Sequence, residues 1–137
     1  MATLKISDLS VGDWVRYDGK EYQVQCVDDL SEIVTLFGYC KQREESAGNL
    51  RPIPITAEIL QENGWTSDEM CAEMRITEYS HLEYCFREHR LRKWVCKETG
   101  WLPGEIVTSI TFTAHCYNVH QLQHALRLAG VDKEINL

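Results

Sequence analysis

The chain has 137 residues, enough to bury one proper core or two small ones. Its 44% hydrophobic and 26% charged content is that of a globular protein and excludes wholesale disorder, and no apolar run approaches the roughly 18 residues of a membrane span. A net charge of −7, from 14 basic and 21 acidic side chains, opposes a phosphate backbone and disfavours nucleic acid as a partner.

In chain order, Met1 to Asp8 lacks a charged start followed by an apolar stretch, so no export signal is expected and the expected compartment is the cytoplasm. Trp14–Tyr17 reads as a short strand. Asp18-Gly19 then predicts a hairpin, because that pair tolerates positive φ. In the return strand Tyr22, Val24 and Cys26 share one face and Gln23 and Gln25 the other. Asp28-Asp29 marks a turn, and residues 33–37 a third strand. Short strands joined by tight turns, with a Val-Gly-Asp-Trp-Val lead, resemble an SH3-like barrel, a pattern that several unrelated small β folds share. Residues 41–50 are polar and predict a loop. Arg51 to Ile55 must be extended, since each proline restricts the residue before it, and would close the barrel.

Thr56 is a candidate N-cap for a helix containing Ile59 and Leu60. Gly64 suits a left-handed stop, with Trp65 folding back as its hydrophobic contact. Thr66-Ser67-Asp68-Glu69 has the pattern of a capping box and predicts a second short helix to about Glu73. Strands follow at 74–77, 82–86, 91–96 and 106–113, with a turn at Gly100-Trp101-Leu102-Pro103-Gly104, which together predict an antiparallel meander. Asn118 with Gln121 opens a last helix whose stripe is Val119, Leu122, Leu126 and Ala129, and Gly130 ends it. The expected fold is α+β: an N-terminal SH3-like small β barrel over residues 1–55, then an antiparallel sheet packed with a C-terminal helix over 56–137.

Two stretches carry a resemblance. Arg51-Pro52-Ile53-Pro54-Ile55-Thr56 with Ile59-Leu60 and Gly64-Trp65, and later Val119-His120-Gln121-Leu122-Gln123, resemble a group of small phage and mobile-element proteins of Bacteroidetes-type bacteria. Val11-Gly12-Asp13-Trp14-Val15 is similar to their opening. Ala125 to Gly130 departs from their aromatic-rich final helix, and the middle segment is longer. The resemblance implies a mobile-element context and no particular chemistry.

Chemistry-bearing residues are sparse. His115, Cys116, His120 and His124 are the metal candidates, with His120 and His124 one helical turn apart, but the run His-Gln-Leu-Gln-His lacks the glutamate of a zincin. The plain alternative is a capped helix carrying two ordinary histidines. Cys85 with His89, or Cys116 with His115, could suggest a thiol nucleophile, yet no glycine-rich oxyanion turn accompanies either pair. The six cysteines stand at 26, 40, 71, 85, 96 and 116 with no Cys-x-x-Cys pair, and are expected to be reduced thiols. Asp28, Asp29, Glu32, Glu44 and Glu45 lack the ligand spacing of a calcium loop. No phosphate-binding glycine loop occurs, and no cofactor is expected.

The segment holding Tyr84, Phe86, Arg87, Arg90, Arg92 and Trp94 mixes bases with aromatics, and Arg90, Arg92 and Trp94 are the candidate ligand-binding residues, against a reading as an ordinary strand with an exposed basic side. Trp65 and Trp101, both in turns, are the candidate interface anchors. The expected function is therefore a non-enzymatic binding or accessory protein acting through contacts with a protein partner. The two rivals are a small-ligand or nucleotide-sequestering protein and a metal-dependent hydrolase.

Overall fold

The computed structural model describes residues 3–98 and 101–137. The chain divides into two compact units, one built from Met1–Pro54, Asn118–Gln123 and Leu137, the other from Ile55–Tyr117 and His124–Asn136.

In the first unit four antiparallel strands lie in the order of the chain: β1 (Trp14–Tyr17), β2 (Lys20–Asp28), β3 (Ile33–Gly38) and β4 (Lys41–Ser46). Asp18 and Gly19 both take positive φ, 50° and 74°, which gives the β1–β2 hairpin the twist its strands need. Inward-facing Val15, Tyr22, Val24, Val34 and Leu36 are buried in one core with Leu4, Leu9, Ala47 and Leu50. A bulge between Val24 and Cys26 breaks the expected alternation of β2. Cys26 is turned outward, and Val27 packs on the core instead.

Two expectations for this unit are corrected. Residues 41–46 are a strand, not loop. The turn before it, Tyr39-Cys40, has φ of 55° and 61° without glycine or asparagine, so no composition signal marked it. The Tyr39 ring meets Tyr22 edge-on at 5.5 Å and lies under Lys20 Nζ at 5.2 Å, contacts that offset the backbone cost. β4 carries Lys41, Arg43, Glu44 and Glu45, the charges that keep an edge from pairing. The second correction concerns the barrel: among the described residues the sheet is open. Arg51 joins it only through a bridge to Arg16, with both N–H···O distances 2.8 Å.

The second unit opens with α1 (Ala57–Glu62). Thr56 Oγ1 accepts from Ile59 N at 3.2 Å, the expected cap. At the other end Trp65 N donates to Leu60 O (3.0 Å) and Gly64 N to Gln61 O (3.1 Å), the two bonds of a Schellman stop, with Gly64 at φ 89°. Thr56→Ala removes the side-chain acceptor and is expected to cost about 1 kcal/mol in a urea titration, while Thr56→Ser keeps it.

The second short helix is a further correction. Thr66–Ser67 is strand β5, and Asp68 Oδ1 accepts from Met70 N (2.7 Å) and Cys71 N (2.8 Å). The carboxylate that would cap a helix closes a tight turn instead. The chain returns as β6 (Cys71–Thr77), then β7 (Ser80–Cys85), β8 (Arg90–Glu98) and β9 (Ile106–His115), a five-stranded antiparallel meander ordered β5-β6-β7-β8-β9. The buried face carries Ala72, Leu82, Tyr84 and Leu91.

Helix α2 covers Val119–Leu128. Asn118 N donates to Gln121 Oε1 (3.1 Å), half of the expected capping box. Its end repeats the stop of α1: Val131 N reaches Leu126 O (2.9 Å) and Gly130 N reaches Arg127 O (3.1 Å). Lys93 Nζ, on β8, donates to Ala129 O at 3.0 Å beside that end, where a cation also suits the helix dipole. The tail is pinned by a reciprocal pair, Asn63 Nδ2 to Asn136 O (2.9 Å) and Asn136 N to Asn63 Oδ1 (2.8 Å).

Candidate interaction surface

The strand register sorts the side chains of the second sheet into rows. Ala72, Tyr84, Leu91 and Ala114 stand side by side on the buried face. The opposite face shows the rows Cys71–Cys85–Arg90–His115, Glu73–Glu83–Arg92–Thr113 and Arg75–His81–Trp94–Ile110. Arg90, Arg92 and Trp94 thus share a face, as period-2 alternation requires.

Each of the three is already engaged with a neighbour. Arg92 contacts Glu88 at 2.6 Å and Glu83 at 3.4 Å. Arg90 Nη2 lies 2.9 Å from His115 Nε2. A guanidinium can only donate, so Nε2 accepts. Trp94 stacks on His81, ring planes 9° apart. Arg92 is held between two glutamates, whereas Arg90 Nε and Trp94 Nε1 are buried without a hydrogen-bond partner.

The metal candidates are distributed rather than assembled. His115 is exposed at the end of β9 with its Nε2 facing Arg90, His120 is buried in the first unit, and His124 is partly buried in the second. Among the described residues no group of three or more His, Cys, Asp or Glu side chains is placed to hold an ion.

Two thiols, Cys71 and Cys116, are shifted away from activation. Burial pushes the Cys116 thiol up to about 11. Burial, then the charges of Cys85 and Glu83, push Cys71 up to about 11 as well. A catalytic thiol needs the opposite shift. Tyr84 is raised by burial first and then by Cys116, and its hydroxyl donates to Cys116 O at 2.6 Å, an internal bond that anchors the strand end.

The tryptophans separate. Trp65 is only 3% exposed, which corrects its expected place on the surface: the Schellman stop folds the ring inward. Trp101 is 88% exposed. Next to it Pro103 and Gly104 form the centre of a tight turn, with Gly104 at φ 82° and Glu105 N donating to Leu102 O (3.2 Å). Gly100, the first residue of the expected turn, lies outside the described residues.

From this turn runs β9, the last strand of the sheet. Its Ile106, Val107 and Ile110 are exposed, and so is Leu102. From Ile106 to Ala114 it contains no charge, proline or glycine. The amides of Lys93, Val95 and Lys97 point towards β9, because Cys96 N on the same strand points the other way, to Tyr79 O (2.7 Å). Val107 and Ser109 are therefore the residues of β9 bonded to β8, and Ile106, Thr108 and Ile110 turn their N–H and C=O groups outward. Natural sheets guard such edges with lysines, prolines or bulges. β4 in the first unit is guarded by charge, whereas β9 carries no charge from Ile106 to Ala114 and is interrupted only by a bulge at Thr111, opposite Lys93 and Trp94. The expected meander already makes this last strand an edge, and the register adds which of its amides point outward.

No known protein family, curated protein or solved structure matches this chain. No helix among the described residues is long and apolar enough to cross a membrane.

Proposed function

We propose that this is a non-enzymatic binding protein that engages a protein partner through β9 and the turn at Trp101. The observation that carries the reading is the uncharged outer edge of β9, with its exposed β-branched side chains and an exposed indole at one end. An extended partner segment adds to such an edge by main-chain bonds, and side chains on alternate positions supply selectivity. Trp101 supplies the large aromatic area typical of an interface anchor. The reading includes an SH3-like kinship for the N-terminal sheet, supported by its short strands and tight turns, and a phage or mobile-element origin, supported by the resemblance of residues 51–65 and 119–123.

The test is capture of host proteins by the wild-type chain beside Thr108→Pro and Trp101→Ala. Proline at 108 removes an outward amide and leaves the bonds to β8 in place. A partner retained by the wild type should be lost about tenfold or more in each variant. Equal retention by folded variants overturns the reading. Titration calorimetry against a nucleotide panel separates it from the ligand-sequestering rival: heat abolished by Arg90→Ala would assign the function to the other face of the sheet.

A further inference from the structure

Cys71 and Cys85 are cross-strand partners on β6 and β7. Phe86 N donates to Met70 O at 3.0 Å, so that neighbouring pair is the hydrogen-bonded one and the cysteines form a non-hydrogen-bonded pair. Cys71 O instead accepts from Asp68 N at 3.0 Å, on the β5 side, which confirms the orientation. Residues in such a pair have Cα atoms about 4.5 Å apart and side chains on the same face. A disulfide accepts Cα separations of about 4.4–6.8 Å.

The other cysteines offer no such partner. Cys96 faces Thr108, its Sγ 3.4 Å from Oγ1. Cys26 and Cys40 are exposed in the first unit, and Cys116 is buried with its carbonyl bound by Tyr84. Access is also asymmetric within the pair. Cys71 lines a surface cleft with Thr66, Ser67, Asp68 and Glu73, whereas Cys85 is buried.

We propose that Cys71 and Cys85 form a dithiol site that is oxidised to a disulfide by low-molecular-weight disulfides such as oxidised glutathione. The Cys71 thiolate attacks one sulfur of the small disulfide, whose S–S bond breaks and releases one small thiolate. Cys85, as thiolate, then attacks Cys71 Sγ of the mixed disulfide, and the second small thiolate leaves. The protein loses two electrons and two protons, and the small disulfide is reduced to two thiols. The high pKa of Cys71 makes the first attack slow at neutral pH and about tenfold faster per pH unit between pH 7 and 9. The bond closes the β6–β7 hairpin beside the Asp68 turn and leaves the β9 edge untouched.

The experiment uses the full chain with Cys26→Ser and Cys40→Ser, which silences the exposed thiols. After equilibration with excess oxidised glutathione, free thiols are alkylated in denaturant and counted by mass spectrometry. The expected result is loss of two thiols per chain, with a Cys71–Cys85 linked peptide, reversed by reduced glutathione. A further Cys85→Ser change should replace the link with a glutathione adduct on Cys71. A folded protein that retains all four remaining thiols, or a link mapped to another pair, overturns the proposal. So does a Cys85→Ser protein free of adduct at both neutral pH and pH 9.

Discussion

Leu91→Ala is expected to lower the unfolding free energy by about 2–5 kcal/mol, towards the upper end of that range. Leu91 has 0% exposure at the centre of the buried face. Its cross-strand neighbours are Tyr84 and Ala114. The alanine has no methylene to move into the space and the Tyr84 ring is tethered through its hydroxyl to Cys116 O, so the cavity adds to the lost transfer energy. Urea titration at constant m-value measures it. A loss below about 1 kcal/mol would show that the sheet collapses onto the site. The control is Ile110→Thr on the exposed edge, where a change within about 0.5 kcal/mol is expected. The comparison distinguishes side chains that hold the sheet together from those left available on β9.

Stability is expected to fall by about 2–3 kcal/mol as pH climbs from 9 through 11 because of Cys116. Its thiol has an ordinary value of 9.0 and is pushed up to about 11 by burial. Below pH 9 the folded and unfolded chains both hold the proton, and the full stability is present. Above it the unfolded chain releases the proton first, so ionisation favours unfolding until the folded thiol also titrates near 11. Tyr84, raised for the same cause, acts in the same direction at higher pH. Cys116→Ala removes this contribution, and its stability profile should be flatter between pH 9 and 11 than the wild type. An unchanged slope in that variant would remove Cys116 as the cause.

Local signals were legible wherever a backbone conformation demands a particular residue. Asp18-Gly19, Gly64 and Gly130 each mark a positive φ that the structure uses, and Thr56 and Asn118 mark helix starts. The failures have an equally definite cause. Tyr39-Cys40 reaches positive φ through ring contacts made with a strand remote in sequence. Asp68 has the same side-chain acceptor whether it caps a helix or closes a turn, and pairing of β5 with β6 selects the turn. Trp65 was readable both as an exposed anchor and as the contact of a helix stop, and burial chose the second.

The candidate sites were less legible still. Period-2 alternation was enough to place Arg90, Arg92 and Trp94 on one face, but their engagement by Glu83, Glu88, His115 and His81 depends on register. The amino-acid sequence by itself determined the strand-rich middle, both helix stops and the alternation within strands, because these follow from interactions spanning a few residues. Only the tertiary structure decided which amides of β9 turn outward, that Cys71 faces Cys85, and that the first sheet stays open. Those properties belong to pairs of residues far apart in the chain, and hydrogen bonding between strands is indifferent to side-chain identity until burial selects the register.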